Sequence, residues 1–149
     1  MTEVLARSSR QGLATAATVD ALHDDFEALW LEAGFVPEMD RMAFSTAVIE
    51  AASNVVQHAV PASETPLQLG VDITIWSRRL EARISEIGAA PSDPEMSNPS
   101  DIDDESESGR GMNLIHALVS TVTFERHGED NVWVLCRDSD SSQQSPADC

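Results

Sequence analysis

The spacing of apolar positions changes period several times along the chain, and each change predicts an element. Residues 4–17 are weakly patterned and fit one edge strand. From Thr18 the period is helical: Leu22, Phe26, Leu29, Trp30 and Ala33 share a face, with Thr18 as N-cap and Gly34 just past the end. Pro37 opens a second helix, which runs to Val60 before Pro61 stops it. Leu67, Leu69, Val71, Ile73 and Ile75 then alternate with polar positions, the mark of a half-buried strand. Ser77, Arg78 and Arg79 read as a turn, and Leu80, Ala82 and Ile84 alternate again, so the pair predicts a hairpin.

Residues 88–108 break the pattern. They hold Pro91, Pro94 and Pro99 and seven acidic residues with no base, a composition that suits a lid or binding loop. Residues 110–120 return to helical spacing through Met112, Ile115, Leu118 and Val119. Two short strands, 122–125 and 132–136, flank a turn at His127, Gly128, Glu129 and Asp130, and residues 138–149 form a polar tail. The order β-α-α-β-β-loop-α-β-β is rich in hairpins. It predicts one α+β domain over residues 1–137, a two-layer α/β sandwich with helices on one face of a mostly antiparallel sheet.

Composition narrows the function. The 149 residues carry a formal charge of −17, which disfavours phosphate-binding nucleic-acid readers and anionic membrane surfaces. All nine basic residues are Arg. The absence of Lys removes the Walker-A phosphate loop, the strand lysine of eukaryotic-type protein kinases and Schiff-base chemistry. Cys136 and Cys149 form neither a disulfide framework nor a metal knuckle. No apolar run is long enough for a transmembrane helix and no signal peptide opens the chain, so a reduced, cytoplasmic protein is expected. The acidic run at 101–105 is not an EF-hand, because the sixth and twelfth positions are Ser106 and Met112.

The second helix carries the candidate chemistry. At about 100° per residue, Met42, Phe44, Val48, Ile49, Ala52, Val55, Val56 and Ala59 fall in one broad arc. The opposite arc holds Glu50, Asn54, Gln57 and His58, interleaved with Ala43 and Ala47. A solvated face would carry more charged pairs; this one reads as the floor of a pocket. A Glu on a helix is commonly just solvated, and a His more often structural than catalytic, so the spacing Glu-x-x-x-Asn-x-x-x-His gains weight only with a second motif. That motif is Gly109, Arg110, Gly111 and Met112 at a helix start, where glycines admit a ligand and free N–H groups attract phosphate. Upstream, Glu86-Ile87-Gly88 puts an acid and a glycine where a strand leaves the sheet. His116, His127, Trp76, Trp133, Arg78 and Arg79 read as surface, turn or sheet-packing residues.

These three segments, in this order, resemble the N, G1 and G2 boxes of the GHKL ATP-binding fold, also called the Bergerat fold, and most closely the small bacterial anti-sigma-factor serine/threonine kinases. The likeness spans residues 18–136. It implies Asn54 as ligand of a Mg²⁺ bridging the nucleotide phosphates and Glu50 as general base toward an acceptor serine. It further implies Gly109, Arg110, Gly111 and Met112 at the phosphate lid, and His58, Glu86 and Gly88 in the nucleotide site. The partners it implies are a sigma factor and an anti-sigma-factor antagonist protein, with room for a homodimer. Two departures stand out. The family's Asp-x-Gly is Glu86-Ile87-Gly88 here, and a Thr that relatives often place after the last turn is replaced by Asn131-Val132. Glu accepts the same adenine bond as Asp, but its extra methylene moves the carboxylate. Two further classes fit the same residues: a GHKL-fold module that holds a partner without catalysis, and a stand-alone ATPase of histidine-kinase type.

Overall fold

A computed structural model describes residues 3–91 and 107–139. Most of the expected lid, residues 92–106, and the tail from residue 140 lie outside the described residues. Eight elements follow in order: β1 (Ala6–Leu13), α1 (Ala16–Glu32), α2 (Glu38–His58), β2 (Gln68–Ile75), β3 (Arg79–Ile87), α3 (Glu107–Leu118), β4 (Thr121–His127) and β5 (Asp130–Asp138). The strands form one sheet in the order β1-β2-β3-β5-β4, every neighbour antiparallel. The helices cover one face. The two-layer α+β sandwich expected from the hairpins is therefore the fold.

Register explains the layers. Leu69, Val71, Ile73 and Ile75 on β2 face Glu86, Ile84, Ala82 and Leu80 on β3. Side chains alternate along a strand, so all eight project to the same side, and the seven apolar ones join Leu22, Phe26, Phe44, Val48 and Ala52 in the main core. Phe26, Trp30 and Phe44 pack their rings at the α1–α2 contact, with centroids 5.8–6.5 Å apart. Arg10 on β1 grips Asp25 on α1 through two hydrogen bonds of 2.8 and 2.7 Å. That paired charge holds the guanidinium pKa above its ordinary value, the hydrogen bond contributing most. On the other side of the sheet Val132, Val134 and Cys136 form a second, small buried cluster.

Several boundaries differ from expectation, each for a local reason. Helix α1 starts at Ala16 with Thr15 as N-cap, because Thr15 is extended and its carbonyl takes the Thr18 and Val19 amides. Its C-cap is Ala33, which leaves Gly34 just past the end as expected. Helix α2 ends at His58, since Ala59 is already extended ahead of Pro61. Helix α3 begins at Glu107, three residues before the expected start. Arg79 is not a plain solvated turn residue: its guanidinium sits 4.4 Å from the Trp76 ring centroid. Cys136 is disulfide-bonded, which corrects the expectation of reduced cysteines. Among the described residues no helix is long and apolar enough to cross a membrane.

Candidate functional site

Helix α2 crosses the sheet and carries Glu50 and Asn54 one turn apart, both partly exposed. Helix α3 packs against it. The point of closest approach is Gly111, which is buried. A Cβ at Gly111 would lie 2.6 Å from Glu50 Oε2, 3.3 Å from Asn54 Oδ1 and 3.4 Å from Asn54 Nδ2. Only a residue without a side chain lets the α3 backbone come this near the two polar groups. The neighbouring Met112 turns into the core, and Asn54 Nδ2 points at its sulfur at 3.8 Å. Glu50 has no hydrogen-bond or ion-pair partner among the described residues. A half-buried carboxylate and an amide oxygen therefore face the same glycine with acceptor capacity to spare.

The sequence placed Ala43 and Ala47 on this open face. Both are instead buried, at 7 % and 0 % exposure. The α2 stripe that reads as small and pocket-lining packs into the protein interior over its N-terminal half, and the polar face opens only from Glu50 onward. Met42 departs the other way: assigned to the core arc, it is 61 % exposed in the second turn of α2. His58 is the last residue of α2 and exposed, with no hydrogen bond to Glu50, Asn54 or Gly111 among the described residues. Gly109 and Arg110 lie in the first turn of α3, where the amide groups up to Gly109 have no intrahelical partner; the side chain of Arg110 is outside the described part.

Glu86 is the penultimate residue of β3. It follows Leu80, Ala82 and Ile84 on the helix-facing side of β3 and is only 6 % exposed. A buried carboxylate needs donors, and β5 supplies them. Asn131 Nδ2 donates to Oε1 at 2.8 Å and Trp133 Nε1 donates to Oε2 at 2.9 Å. The same Asn131 amide donates to the Ala90 carbonyl at 2.8 Å, and Arg126 donates to Asn131 Oδ1 and to the Ala89 carbonyl at 2.9 and 2.8 Å. Gly88 leaves β3 at φ +76°, a conformation that favours glycine, and its amide donates to Asp130 Oδ1 at 3.2 Å. The 88–90 segment also pairs with the chain that follows α2, through Ala62 N to Gly88 O and Ala90 N to Val60 O.

Three residues of this network were not singled out from sequence as site residues. Trp133 reads as sheet packing, and its ring does stack edge-on against Phe124 at 4.7 Å, but its indole N–H serves Glu86. Asn131 was noticed only as a departure. Arg126 gave no signal. Period-2 alternation was the available clue: Arg126, Asn131 and Trp133 share the helix-facing side with Glu86 through the registers Glu86↔Asn131 and Arg126↔Asn131. Among the described residues no group of three or more His, Cys, Asp or Glu could hold a metal by itself.

A family model described as the histidine kinase-like ATPase domain matches residues 13–137. No curated protein matches the chain significantly.

Proposed function

The chain belongs to the histidine kinase-like ATPase domain family, and on that premise we propose that it is an ATP-dependent protein serine/threonine kinase acting as an anti-sigma factor. In this reading it holds a sigma factor and phosphorylates an anti-sigma-factor antagonist. The observation that carries the reading is the seat of Gly111 against Glu50 and Asn54. It joins the two motifs that the sequence separates by more than fifty residues.

The donor set fits Mg²⁺. That ion prefers hard oxygen ligands, usually takes one or two from protein and keeps the rest from phosphate and water. Asn54 Oδ1, an amide oxygen facing the Gly111 backbone, would be one such ligand. Bound Mg²⁺ supplies charge neutralisation at the phosphates. Glu50 accepts the proton of the acceptor serine hydroxyl as the Oγ–P bond forms and the bond to the leaving diphosphate breaks. Its carboxylate has no ion-pair partner among the described residues, which suits a base. No step needs the missing lysine.

Glu50→Gln keeps the shape and removes the base. Transfer of the γ-phosphate to a serine-bearing antagonist, screened among candidates of the host, should fall about 10²–10⁴-fold, with ATP affinity little changed. Equal transfer by wild type and variant would remove Glu50 from the chemistry. One observation favours a second reading, a binding module without catalysis: both Glu86 oxygens already have donors within the protein. Wild-type protein that holds a sigma factor but binds no Mg·ATP in calorimetry would decide for that module.

A further inference from the structure

We propose that Asn131 and Trp133 are positioning residues that aim Glu86 at the nucleobase and set a preference for ATP over GTP. This rests on the nucleotide reading above and names how its base end is built. Glu86 and Asn131 are the two places where the sequence departs from the motifs it resembles. They are not independent, because the register places them side by side on β3 and β5. The longer acidic side chain has donors on the longer amide of Asn131 and on the indole of Trp133, at 2.8 and 2.9 Å. The extra methylene is thus taken up along the sheet toward β5. It does not push the carboxylate across the site.

A carboxylate has about four lone-pair directions. Two are occupied from β5, which leaves acceptor capacity on both oxygens and fixes the rotamer of the side chain. Adenine offers an amino donor at its six position, and guanine offers a carbonyl acceptor there. A fixed acceptor rewards the first and repels the second. The clamp is itself held: Arg126 donates to Asn131 Oδ1, so the Asn131 amide cannot turn its oxygen toward Glu86 without losing that charged donor. The same two residues bond the Ala89 and Ala90 carbonyls, so the strand end that carries Glu86 moves as one piece with the β4–β5 turn.

Calorimetry with Mg·ATP and Mg·GTP tests the assignment in the full chain. Wild type should prefer ATP at least tenfold. Trp133→Phe, which removes only the N–H, and Asn131→Ala should each reduce that preference about tenfold by bringing ATP affinity down toward that of GTP. Glu86→Asp should also weaken ATP, since the shorter side chain no longer reaches the β5 donors. A merely structural role would lower both nucleotides together, and that result overturns the proposal, as does tighter ATP binding by Glu86→Asp. Wild-type binding of both nucleotides without preference overturns this assignment alone; binding of neither overturns the nucleotide reading beneath it. In the ligand-free protein the Trp133 indole N–H resonance, identified with Trp133→Phe, should move in Glu86→Gln. An unmoved resonance shows that no clamp exists.

Discussion

At the residue scale Gly111 makes the closest approach of any described glycine. An added Cβ would stand 2.6 Å from a Glu50 oxygen and close to the Asn54 amide, both the ends of flexible side chains. Gly111→Ala is therefore expected to displace the polar groups and leave the helix in place. Alanine also gains roughly 1 kcal/mol of helix propensity over glycine. Thermal unfolding should show stability within about 1 kcal/mol of wild type, while Mg·ATP binding weakens severalfold. A large loss of stability with binding intact would mean that Gly111 serves packing only. Asn54→Ala makes the complementary change, removing the amide and leaving the space. Metal-dependent nucleotide affinity should drop at least tenfold, about 1.4 kcal/mol, and equal affinity for wild type and variant would deny the metal role.

A further prediction at this scale concerns pH. Glu125 accepts hydrogen bonds from His127 at 2.7 Å and Arg83 at 3.0 Å, and these, His127 first, hold its pKa below the ordinary 4.5. A folded pKa below the unfolded one means that the contribution is present above the unfolded value. It is lost as pH falls through the lower, folded value. The group is solvent-exposed, so the effect on stability is small. A carboxyl-carbon NMR titration should place the Glu125 midpoint below that of an unperturbed Glu, and Arg83→Gln should bring it upward. A midpoint unmoved by the variant would remove Arg83 as a cause.

At the element scale, Arg137 ties three pieces together. It projects from β5, donates from Nε to Asp40 Oδ1 in the first turn of α2 at 2.9 Å, and donates from a second nitrogen to the Leu118 carbonyl at the end of α3 at 2.6 Å. Asp40 is thereby paired with little exposure, and the last turn of α3 receives a cation where its dipole favours one. Arg137→Ala leaves Asp40 without that partner and the α3 carbonyl without its charged donor. Chemical denaturation should show a loss of about 2–4 kcal/mol, with Arg137→Lys recovering only part because an ammonium lacks the planar fork. An unaffected midpoint would show that sheet pairing alone seats the helices. This tie, with the Glu86 network, marks what sequence could not disclose. Period and breakers were enough for β2, whose alternation from Leu69 to Ile75 is direct, and for α2, bracketed by Pro37 and Pro61. The pairing of Glu50 and Asn54 with Gly111 was legible as motifs, because each motif is local. Arg137 to Asp40 spans 97 positions and Trp133 to Glu86 spans 47, and no local pattern encodes such pairs. Ala43 and Ala47 misled for a related reason: a small residue on a helix fits an open pocket or a close-packed neighbour equally well, and only the fold shows that the space beside them is filled.

At the scale of the whole molecule, charge is the dominant feature. A formal −17 over 149 residues concentrates repulsion in the compact state, and the described ion pairs offset little of it because several are exposed. Self-repulsion of this kind acts over about 10 Å at 0.1 M salt and is screened further as salt rises. Folding brings the charges together, so screening stabilises the folded chain relative to the unfolded one. Arg10–Asp25 and Arg137–Asp40 act in the opposite direction, but both are partly shielded from solvent and respond weakly. The unfolding temperature should therefore rise between 10 mM and 300 mM sodium chloride, a range chosen to take the screening length from roughly 30 Å to under 8 Å. Potassium chloride should give the same rise, since screening does not distinguish the cations. A flat or falling curve would show that attractive pairs outweigh the net charge. A rise confined to Mg²⁺ salts would point instead to a bound ion, and its loss in Asn54→Ala would then place that ion at the helix α2 site.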